Sequence, residues 1–371
     1  MFKKFKYKFG INATCYGARP SGAKNRFIGL FNIIFGQMSN TQFIIYEPKD
    51  HSLKKYFKKR SNTVFIKTPI PSEGRIKKLF TSFFYWRNIN KSKSFDIFEF
   101  LNLPLFKINN SKNLLTIHDL RWLYFEKNLI KLKIYKLIFK SSLNKSFKII
   151  TVSETIKNEI SKFVSKEKIS IFYNGISKQK KNHNTNYKKY FKKYILSIGH
   201  FEKRKNFLNL IEAYNLIKNK IDHKLIIIGN DLGEKINLRN KLKNLNLSTK
   251  YVKLISGVSN DEVNFLYKNS SLLVFPSKYE GFGIPILEAI NFKIPIAMSN
   301  IRIFKEITSN KGFYFNPYNV KQISVCILDA LKNKSRMNKL QNYYDKRLNN
   351  FRLNKIAKEL CKFYYSCLEK K

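Results

Sequence analysis

Short apolar runs alternate with amphipathic stretches along most of this chain. We interpret twelve of these runs as β-strands, because each is a brief continuous apolar segment followed by a turn-forming or polar stretch. Such runs are typical of parallel strands that helices cover on both faces. The predicted strands span residues 8–14, 42–47, 63–68, 113–119, 148–153, 169–175, 194–199, 224–229, 251–257, 271–276, 293–299 and 312–316.

Helical periodicity fills many of the gaps between these strands. In NFLNLIEAYNLIKN, residues 206–219, the apolar side chains recur at helical spacing behind Asn206, which predicts a helix with Asn206 as its cap. The predicted buried face consists of Phe207, Leu210, Ile211, Tyr214 and Ile217. Residues from about 335 onward also have a helical pattern.

The segment SKQKKNHNTNYKKYFKK, residues 177–193, is polar and lacks periodicity at its start, which predicts a linker. Two successive doubly wound α/β domains with a cleft between them follow from this division. We place the domains at residues 1–180 and 181–345. Residues 346–371 are then a C-terminal helical segment, with a return to the first domain as one destination.

The net charge of the chain affects the interpretation of its function more than its length does. The chain has 371 residues and 43% hydrophobic residues, enough for two domains with their own cores. Its 72 lysine and arginine residues against 24 acidic residues give a net charge of +48. The accompanying excess of Asn, Ile, Phe and Tyr is the composition that an AT-rich genome imposes, so part of the charge is attributable to mutational drift.

We assign the rest of the positive charge to the protein surface. Three clusters mix lysine with aromatic or aliphatic residues: KKYFKKR (54–60), KLKIYKLIFK (131–140) and YKKYFKK (187–193). Such segments suit the headgroup region of an anionic membrane. The alternative for each cluster is a solvated helix face with its apolar side in the core.

No run approaches the roughly 18 apolar residues needed to cross a bilayer, and the first residues show no signal-peptide pattern. The four cysteines, at positions 15, 326, 361 and 367, form no CxxC pair. We therefore expect a cytoplasmic protein with reduced thiols, at most peripheral at the cytoplasmic face of the inner membrane.

The loop GHFEKRKN, residues 199–206, follows a predicted strand and precedes the helix that starts at Asn206. Gly199 ends the strand, and Arg204 and Lys205 come immediately before the helix. Two cations at a helix N-terminus predict a phosphate or diphosphate site, because the free N–H groups and the positive end of the dipole point the same way. The alternative is a pair of ordinary surface cations.

The loop KYEGFG, residues 278–283, follows another predicted strand. Gly281 and Gly283 leave its backbone N–H groups accessible to an anion. Pro285 is predicted as the first helical residue, which places Glu288 in the first turn, where it can accept hydrogen bonds from vicinal hydroxyls. With Glu280 directly before the two glycines, the pattern indicates a nucleotide-sugar site.

Residues 194–317 resemble the donor domain of the retaining glycosyltransferases of family 4 (glycosyltransferase group 1), which have the GT-B fold. ILSIGHFEKRKNFLNLIEAY resembles the phosphate-binding segment of that family, and SKYEGFGIPILEA contains its Glu-x7-Glu motif. The combination of both motifs in this order is specific. The resemblance implies two Rossmann-like doubly wound domains facing a central cleft.

The resemblance also implies roles for individual residues. Arg204 and Lys205 would bind the donor diphosphate, and Glu288 would bind the ribose. Glu280 would contact the transferred sugar or, alternatively, only brace its loop. The remaining donor-binding residues are Gly199 and Gly281, with the backbone N–H groups of Phe282, Gly283 and Ile284.

The first half carries weaker motifs. GARPSGAKNRF, residues 17–27, resembles the family's glycine loop on the acceptor side, so Gly17 and Gly22 are predicted to contact the donor, although the usual adjacent glycine pair is not intact. LLTIHDL, residues 114–120, resembles the family's His-Asp strand end, which implies that His118 lies near the hydroxyls of the transferred sugar. A purely structural histidine is the alternative.

The implied activity is retaining transfer of a sugar, mannose or another hexose, from a nucleotide sugar to a glycan or lipid-linked glycan in cell-surface polysaccharide biosynthesis. A retaining transfer can use a covalent carboxylate or a same-face route, and the family is usually described by the second, in which the donor phosphate takes the acceptor's proton. Arg204, Lys205, Glu280 and His118 are the candidate catalytic residues. No aspartate cluster indicates a metal, and no cofactor is expected. The chain departs from many relatives at Phe292-Lys293 and at His200, which leaves the sugar and nucleobase open.

Two other functions fit part of the pattern. A sugar-nucleotide epimerase or a glycogen phosphorylase also pairs two α/β domains, but the RKN and EGFGIPILE motifs favour a transferase. A nucleic-acid-binding protein would account for the net charge, yet no RNP sequence or zinc spacing accompanies it.

Overall fold

The computed structural model describes residues 5–19, 21–104, 107–177 and 190–369. The chain divides into two compact units, one made of Met1–Ser177 with Phe351–Lys371 and the other of Lys178–Asn350. The predicted linker at 177–193 falls mostly on residues outside the described ranges.

Each unit is built on one parallel sheet. The first sheet has seven strands in the order β3-β2-β1-β4-β5-β6-β7, and the second has six in the order β10-β9-β8-β11-β12-β13. In both, the strand order reverses beside the first strand of the unit, which is the arrangement of doubly wound Rossmann-like sheets. The strands are β1 Tyr7–Asn12, β2 Thr41–Glu47, β3 Thr63–Lys67, β4 Ile97–Phe100, β5 Lys112–Ile117, β6 Lys148–Thr151, β7 Ile169–Ile171, β8 Tyr194–Ile198, β9 Lys224–Ile228, β10 Val252–Ile255, β11 Leu272–Phe275, β12 Ile296–Ser299 and β13 Phe313–Phe315.

Helices connect the strands and cover both faces of the sheets. They are α1 Gly22–Gln37, α2 Arg75–Ser92, α3 Arg121–Phe125, α4 Leu129–Lys145, α5 Glu154–Ile160, α6 Phe207–Ile217, α7 Lys235–Asn244, α8 Asn260–Lys268, α9 Ile284–Asn291, α10 Arg302–Thr308, α11 Val320–Lys332, α12 Lys334–Leu348 and α13 Leu353–Glu369. None of the helices in the described ranges is both long enough and apolar enough to cross a membrane.

All twelve predicted strands are present, and the predicted buried face of α6 is buried. The sequence pattern missed β4, which lies between β1 and β5 in the first sheet. Glu99 is the reason, because a carboxylate in the middle of Ile97–Phe100 interrupts the apolar run that marked the other strands. Asn206 does stand at the N-terminus of α6, but its side chain does not cap the helix.

One face of the first sheet packs against α1 and α13. The core there joins Phe9 and Phe43 from the strands to Phe31 of α1 and Tyr364 of α13. The Tyr364 ring meets Phe9 edge-on with centroids 4.9 Å apart. The C-terminal helix therefore completes the core of the first unit.

Glu99 is 1% exposed within this core and is held by two hydroxyls. Thr116 donates to Oε1 at 2.5 Å and Tyr364 donates to Oε2 at 2.7 Å. Burial raises the pKa of Glu99, while these two donors and the Arg26 charge oppose the rise. The hydroxyls thus offset much of the cost of burying a carboxylate.

Replacing Tyr364 by phenylalanine should lower the free energy of unfolding by about 1–3 kcal/mol, because Glu99 loses one of its two donors inside the core. Urea denaturation would measure the change. Tyr365→Phe is the matched control on the same helix, because the Tyr365 hydroxyl donates to Asn40 at an exposed position. Equal losses in both variants would contradict a special role for the Glu99 contact.

Candidate nucleotide-sugar site

The loop after β8 turns sharply before α6. Lys203–Lys205 form a single 3-10 turn, and Asn206 follows in the left-handed conformation with φ 60°. Asparagine tolerates that conformation better than most residues. The turn places Arg204 and Lys205 directly at the N-terminus of α6, as the sequence predicted.

The loop after β11 ends at Gly283, whose φ of 124° is unfavourable for a residue with a side chain. Helix α9 starts at Ile284, so Pro285 is its second residue and not the first as predicted. Glu288 is consequently the fifth residue of the helix and lies in its second turn. The predicted placement of Glu288 in the first turn is wrong, because the glycine lets the helix start one residue earlier.

Glu280 joins the two loops. Its Oε2 lies 2.6 Å from Nη1 of Arg204, and its Oε1 lies 2.6 Å from Nζ of Lys205. The third partner of the Glu280 carboxylate is Ser277, whose hydroxyl donates a hydrogen bond to Oε1 at 2.8 Å. Arg204 also pairs through Nη2 with Glu202 at 2.7 Å. Two cations and two carboxylates thus form a nearly buried cluster at the carboxyl ends of β8 and β11.

Charge pairing dominates the pKa of Glu280, whereas burial dominates the pKa of Lys205. Burial alone would raise the pKa of Glu280, but Arg204 and Lys205 outweigh it and lower the pKa to about 2. Burial lowers the pKa of Lys205, and the Glu280 charge acts in the opposite direction. Glu280 is therefore a fixed negative charge that keeps both cations in place.

Backbone contacts fix the same two loops. Lys278 donates its N–H to the Arg204 carbonyl at 2.8 Å. The Asn206 amide donates to Pro276 at 3.1 Å and to Pro317 at 2.7 Å, which ties the start of α6 to the ends of β11 and β13. The Asn206 side chain thus connects the start of α6 to the segments that follow β11 and β13.

Close backbone packing requires glycine at the carboxyl ends of β8 and β9. A Cβ atom on Gly199 would lie 2.9 Å from Cε of Lys205. One on Gly229 would lie 1.9 Å from the Gly199 carbonyl oxygen, so no side chain fits there. Gly229 was not among the predicted site residues.

Glu288 has a separate support. Tyr267 of α8 donates its hydroxyl to Oε2 of Glu288 at 2.7 Å. Burial raises the pKa of Glu288, and the Tyr267 hydrogen bond opposes this. The Tyr267 ring in turn stacks on Phe292, with centroids 5.2 Å apart and planes 10° apart. Phe292, noted in the sequence only as a departure from relatives, supports the tyrosine that holds Glu288.

Lys293 lies just beyond the C-terminus of α9 and has the left-handed conformation, with φ 58°. The N–H of Ile294 donates back to Ala289 at 3.1 Å, which is the pattern of a Schellman cap. Glycine is favoured at this position, since a side chain costs about 1 kcal/mol there.

The remaining predicted residues lie in the first unit. His118 directly follows β5, and its Nε2 is buried without a hydrogen-bond partner among the described residues. Burial, with a contribution from the Arg26 charge, lowers the pKa of His118 to about 3, so the ring is neutral at physiological pH.

Gly17 and Gly22 flank the loop before α1. The Gly17 carbonyl accepts from Nζ of the buried Lys24 at 2.7 Å, and Ser21 caps the helix by accepting from the Lys24 N–H. Gly22 is the first residue of α1. The loop is therefore anchored by Lys24, which the sequence analysis did not identify.

Four further side chains were not predicted as part of the donor site: Glu202, Ser277, Tyr267 and Phe292. Glu202 and Ser277 stand inside or beside the motifs and could have been found by asking which groups neutralise Arg204 and stabilise Glu280. Tyr267 and Phe292 gave no signal, because an aromatic residue in a helical pattern usually indicates core. Within the described ranges, no three His, Cys, Asp or Glu side chains are placed to hold a metal ion.

Comparison with known proteins adds to this geometry. Residues 176–347 match the family model described as "Glycosyl transferases group 1", and residues 42–180 match "Glycosyltransferase Family 4". The O-antigen chain mannosyltransferase RfbU of Salmonella typhimurium is 31% identical over 235 residues, which are 62% of this chain and 64% of RfbU. The matched region thus spans just under two thirds of that relative.

Solved structures support the fold. A glycosyltransferase from Rickettsia africae superposes with a TM-score of 0.70 at 20% identity, covering 99% of this chain and 100% of that one. Anabaena HepE, solved in complex with UDP and glucose, superposes with a TM-score of 0.74 at 14% identity, covering 97% and 100%. At these identities the likeness is one of fold.

Two parallel, doubly wound α/β units, together with the likeness to these solved structures, identify the GT-B fold. Together the two family models match residues 42–347, and the group 1 glycosyl transferase model matches residues 176–347, nearly all of them in the second unit.

Glu280→Gln should destabilise the protein by roughly 3–5 kcal/mol at neutral pH, because two buried cations lose their shared partner. The wild-type carboxyl has a pKa of about 2 when folded and about 4.3 when unfolded. Its stabilisation is thus present above pH about 4 and is lost as the pH falls toward about 2. Urea denaturation across this range should show that loss in the wild type and its absence in Glu280→Gln.

The control for that experiment is Glu212→Gln, which removes a more exposed ion pair with Lys241 in the same unit. Its effect should stay within about 1 kcal/mol. A Glu280→Gln effect as small as that of Glu212→Gln would contradict the importance of the buried cluster.

Lys293→Gly should raise the free energy of unfolding by roughly 1 kcal/mol, because it relieves the left-handed strain at the end of α9. The measurement is the shift in the urea midpoint. Lys293→Ala keeps the side-chain strain and removes the charge, so it should not reproduce the gain. An equal gain in both variants would point to charge and not to backbone conformation.

Proposed function

We propose that this protein is a retaining glycosyltransferase that moves a hexose, with mannose as the first candidate, from a nucleotide sugar to a glycan or lipid-linked glycan. The process it serves is the assembly of a cell-surface polysaccharide. The observation that carries this proposal is the buried cluster in which Glu280 holds Arg204 and Lys205 at the carboxyl ends of β8 and β11. The similarity to RfbU supports mannose and an O-antigen type of product.

The donor would bind at the second unit. Arg204 and Lys205 would receive the diphosphate, helped by the N-terminus of α9 and the backbone N–H groups of Phe282, Gly283 and Ile284. Glu288 would accept hydrogen bonds from the ribose hydroxyls, with Tyr267 fixing its orientation. Glu280 would bind the transferred sugar at its margin and, above all, hold the two cations in position.

The chemical step would take place on one face of the sugar. The bond between the sugar's anomeric carbon and the diphosphate oxygen breaks, and the acceptor oxygen bonds to that carbon from the same side. The acceptor's proton passes to an oxygen of the departing diphosphate. Arg204, Lys205 and the helix N-termini stabilise the negative charge that develops there, because they are already oriented before the reaction. A metal ion is not required by this scheme.

The acceptor side would involve the first unit. His118 follows β5 at the carboxyl edge of the sheet, where ligands of such folds bind. Its buried Nε2 has no hydrogen-bond partner in the described chain, and a sugar hydroxyl is a suitable partner. Because burial holds its pKa near 3, the neutral ring would hydrogen-bond to the sugar without changing charge across physiological pH.

A lipid-linked acceptor requires the enzyme to work at a membrane. We therefore include peripheral contact with an anionic membrane in the proposal. Of the three lysine-rich clusters noted in the sequence, residues 131–140 lie on α4, residues 54–60 include one exposed tyrosine, Tyr56, and residues 187–193 begin outside the described ranges.

The proposal is tested by measuring nucleotide diphosphate release from a panel of nucleotide sugars, with and without a membrane extract. One donor should be consumed in an extract-dependent way. Lys205→Ala should lower the rate by about 100-fold or more, since it removes a charge that stabilises the leaving group. Glu288→Ala should chiefly raise the KM for the donor.

Lys203→Ala is the matched control, because Lys203 is in the same turn but its side chain is 71% exposed. It should retain nearly full activity. If no donor is turned over or bound, and Lys205→Ala and Glu288→Ala behave like the wild type, the proposed transferase activity is wrong.

A further inference from the structure

Helix α4 exposes its apolar side chains to solvent. Leu129 is 74% exposed, Ile130 71% and Leu137 69%, and only Phe139, Ser142 and Leu143 of this helix are buried. Ile130, Ile134 and Leu137 recur at i, i+4 and i+7, so they form one stripe. The stripe points away from the core, which is the reverse of what a soluble amphipathic helix requires.

Helix α2 repeats the pattern. Its Phe80 is 65% exposed and its Phe84 is 61% exposed, while Trp86 turns inward onto Tyr46 and Phe98. Phe80 and Phe84 are one helical turn apart and lie on the outward side.

The topology places these two helices on the same face of the first sheet. Parallel strand connections are right-handed, so the crossovers from β3 to β4 and from β5 to β6 lie on the same face of the sheet, opposite α1. Both helices start at the carboxyl edge, and the exposed apolar residues named above lie within the first ten residues of each. The surface made by Phe80, Phe84, Leu129, Ile130, Ile134 and Leu137, called here the α2–α4 surface, therefore lies toward the edge where His118 follows β5.

The charged residues within the two helices are all lysine or arginine, with no acidic residue. The sequence of α4, LIKLKIYKLIFKSSLNK, contains five lysines and no acidic residue, and α2 also lacks any acidic residue. Lys133 and Lys140 flank the apolar stripe on one side, and Lys131 flanks it on the other. Large aliphatic side chains in the centre with lysines at the margins are the arrangement of helices that lie in a membrane interface.

We propose that the α2–α4 surface docks on an anionic membrane. Lipid headgroups would pair with the lysines, and the acyl boundary would accept the aliphatic and phenylalanine side chains. A second copy of the chain does not fit, because a symmetric contact would place the same lysine-rich surface against itself. A nucleic acid would satisfy the lysines but not the aliphatic stripe.

This inference rests on the proposed function for its purpose, since docking there would bring a lipid-linked acceptor to the edge that carries His118. It does not rest on that function for its test. Binding to vesicles is measured without donor or acceptor, so its outcome is independent of whether the protein transfers a sugar.

The experiment compares binding of the full chain to vesicles of phosphatidylcholine alone and of phosphatidylcholine mixed with phosphatidylglycerol. The wild type should bind the anionic vesicles, and salt should weaken the binding. Ile130→Ser/Leu137→Ser should weaken it by about tenfold or more, because it removes two apolar side chains while keeping every charge. Lys133→Gln/Lys140→Gln should weaken it by roughly 30-fold, at about 1 kcal/mol per lysine.

The control is Ile236→Ser/Val325→Ser, which removes two equally exposed apolar side chains from the second unit. It should bind vesicles like the wild type. All four substituted α4 positions are exposed, so each variant should fold, and an unchanged circular dichroism spectrum and urea midpoint verify this.

Equal vesicle binding by the wild type and Ile130→Ser/Leu137→Ser would overturn the proposal. So would a loss of self-association in that variant without a loss of vesicle binding, which would identify a second copy as the occupant. Salt-sensitive RNA binding that depends on Lys133 and Lys140 but not on Ile130, with no vesicle binding, would overturn it in favour of nucleic acid. If vesicle binding maps to the surface while no donor is used, docking stands and the transferase proposal fails.

Discussion

The second unit depends on one carboxylate that serves two loops at once. Glu280 comes from the loop after β11, and the cations that it holds come from the loop after β8. A fold tolerates three buried charges only when each charge has a partner of opposite sign. The consequence is a pair of cations that are oriented before any ligand arrives, because their geometry is set by protein contacts and not by the ligand. The surrounding glycines and the Asn206 links serve the same end, since they let the two loops approach closely.

The first unit also buries a carboxylate, but there neutral hydrogen-bond donors stabilise it. Among the residues that the structure describes, no lysine or arginine lies at hydrogen-bond distance from Glu99, and its two oxygens are held by the hydroxyls of Thr116 and Tyr364. Burial accordingly raises the pKa of Glu99 but leaves Glu280, which has cationic partners, with a pKa of about 2. Two buried glutamates thus differ in ionisation because one has charged partners and the other has mainly hydroxyls.

Sequence patterns predicted the elements whose burial is purely apolar and the motifs that lie in short loops. Twelve strands, the α6 face and the placement of Arg204 and Lys205 at the N-terminus of α6 follow from local sequence alone. Strand β4 did not, because the burial of Glu99 depends on the hydroxyls of Thr116 and Tyr364, and Tyr364 is 265 positions away in the chain. The support of Glu288 by Tyr267 and Phe292 was equally invisible, since it depends on how α8 packs beside α9. The start of α9 was misplaced by one residue, because the backbone freedom of Gly283 outweighed the preference of proline for the first helical position.

The return of α13 to the first unit also sets the order in which the protein can be made. The second unit is a continuous stretch of chain, so all of its strands are available as soon as residue 350 has left the ribosome. The first unit begins earlier but lacks the helix that covers Phe9, Phe31 and Phe43 until residues near 364 have been synthesised. During translation its aromatic face must therefore remain uncovered while the whole of the second unit is produced. That interval is when the chain is most exposed to aggregation and most in need of a chaperone.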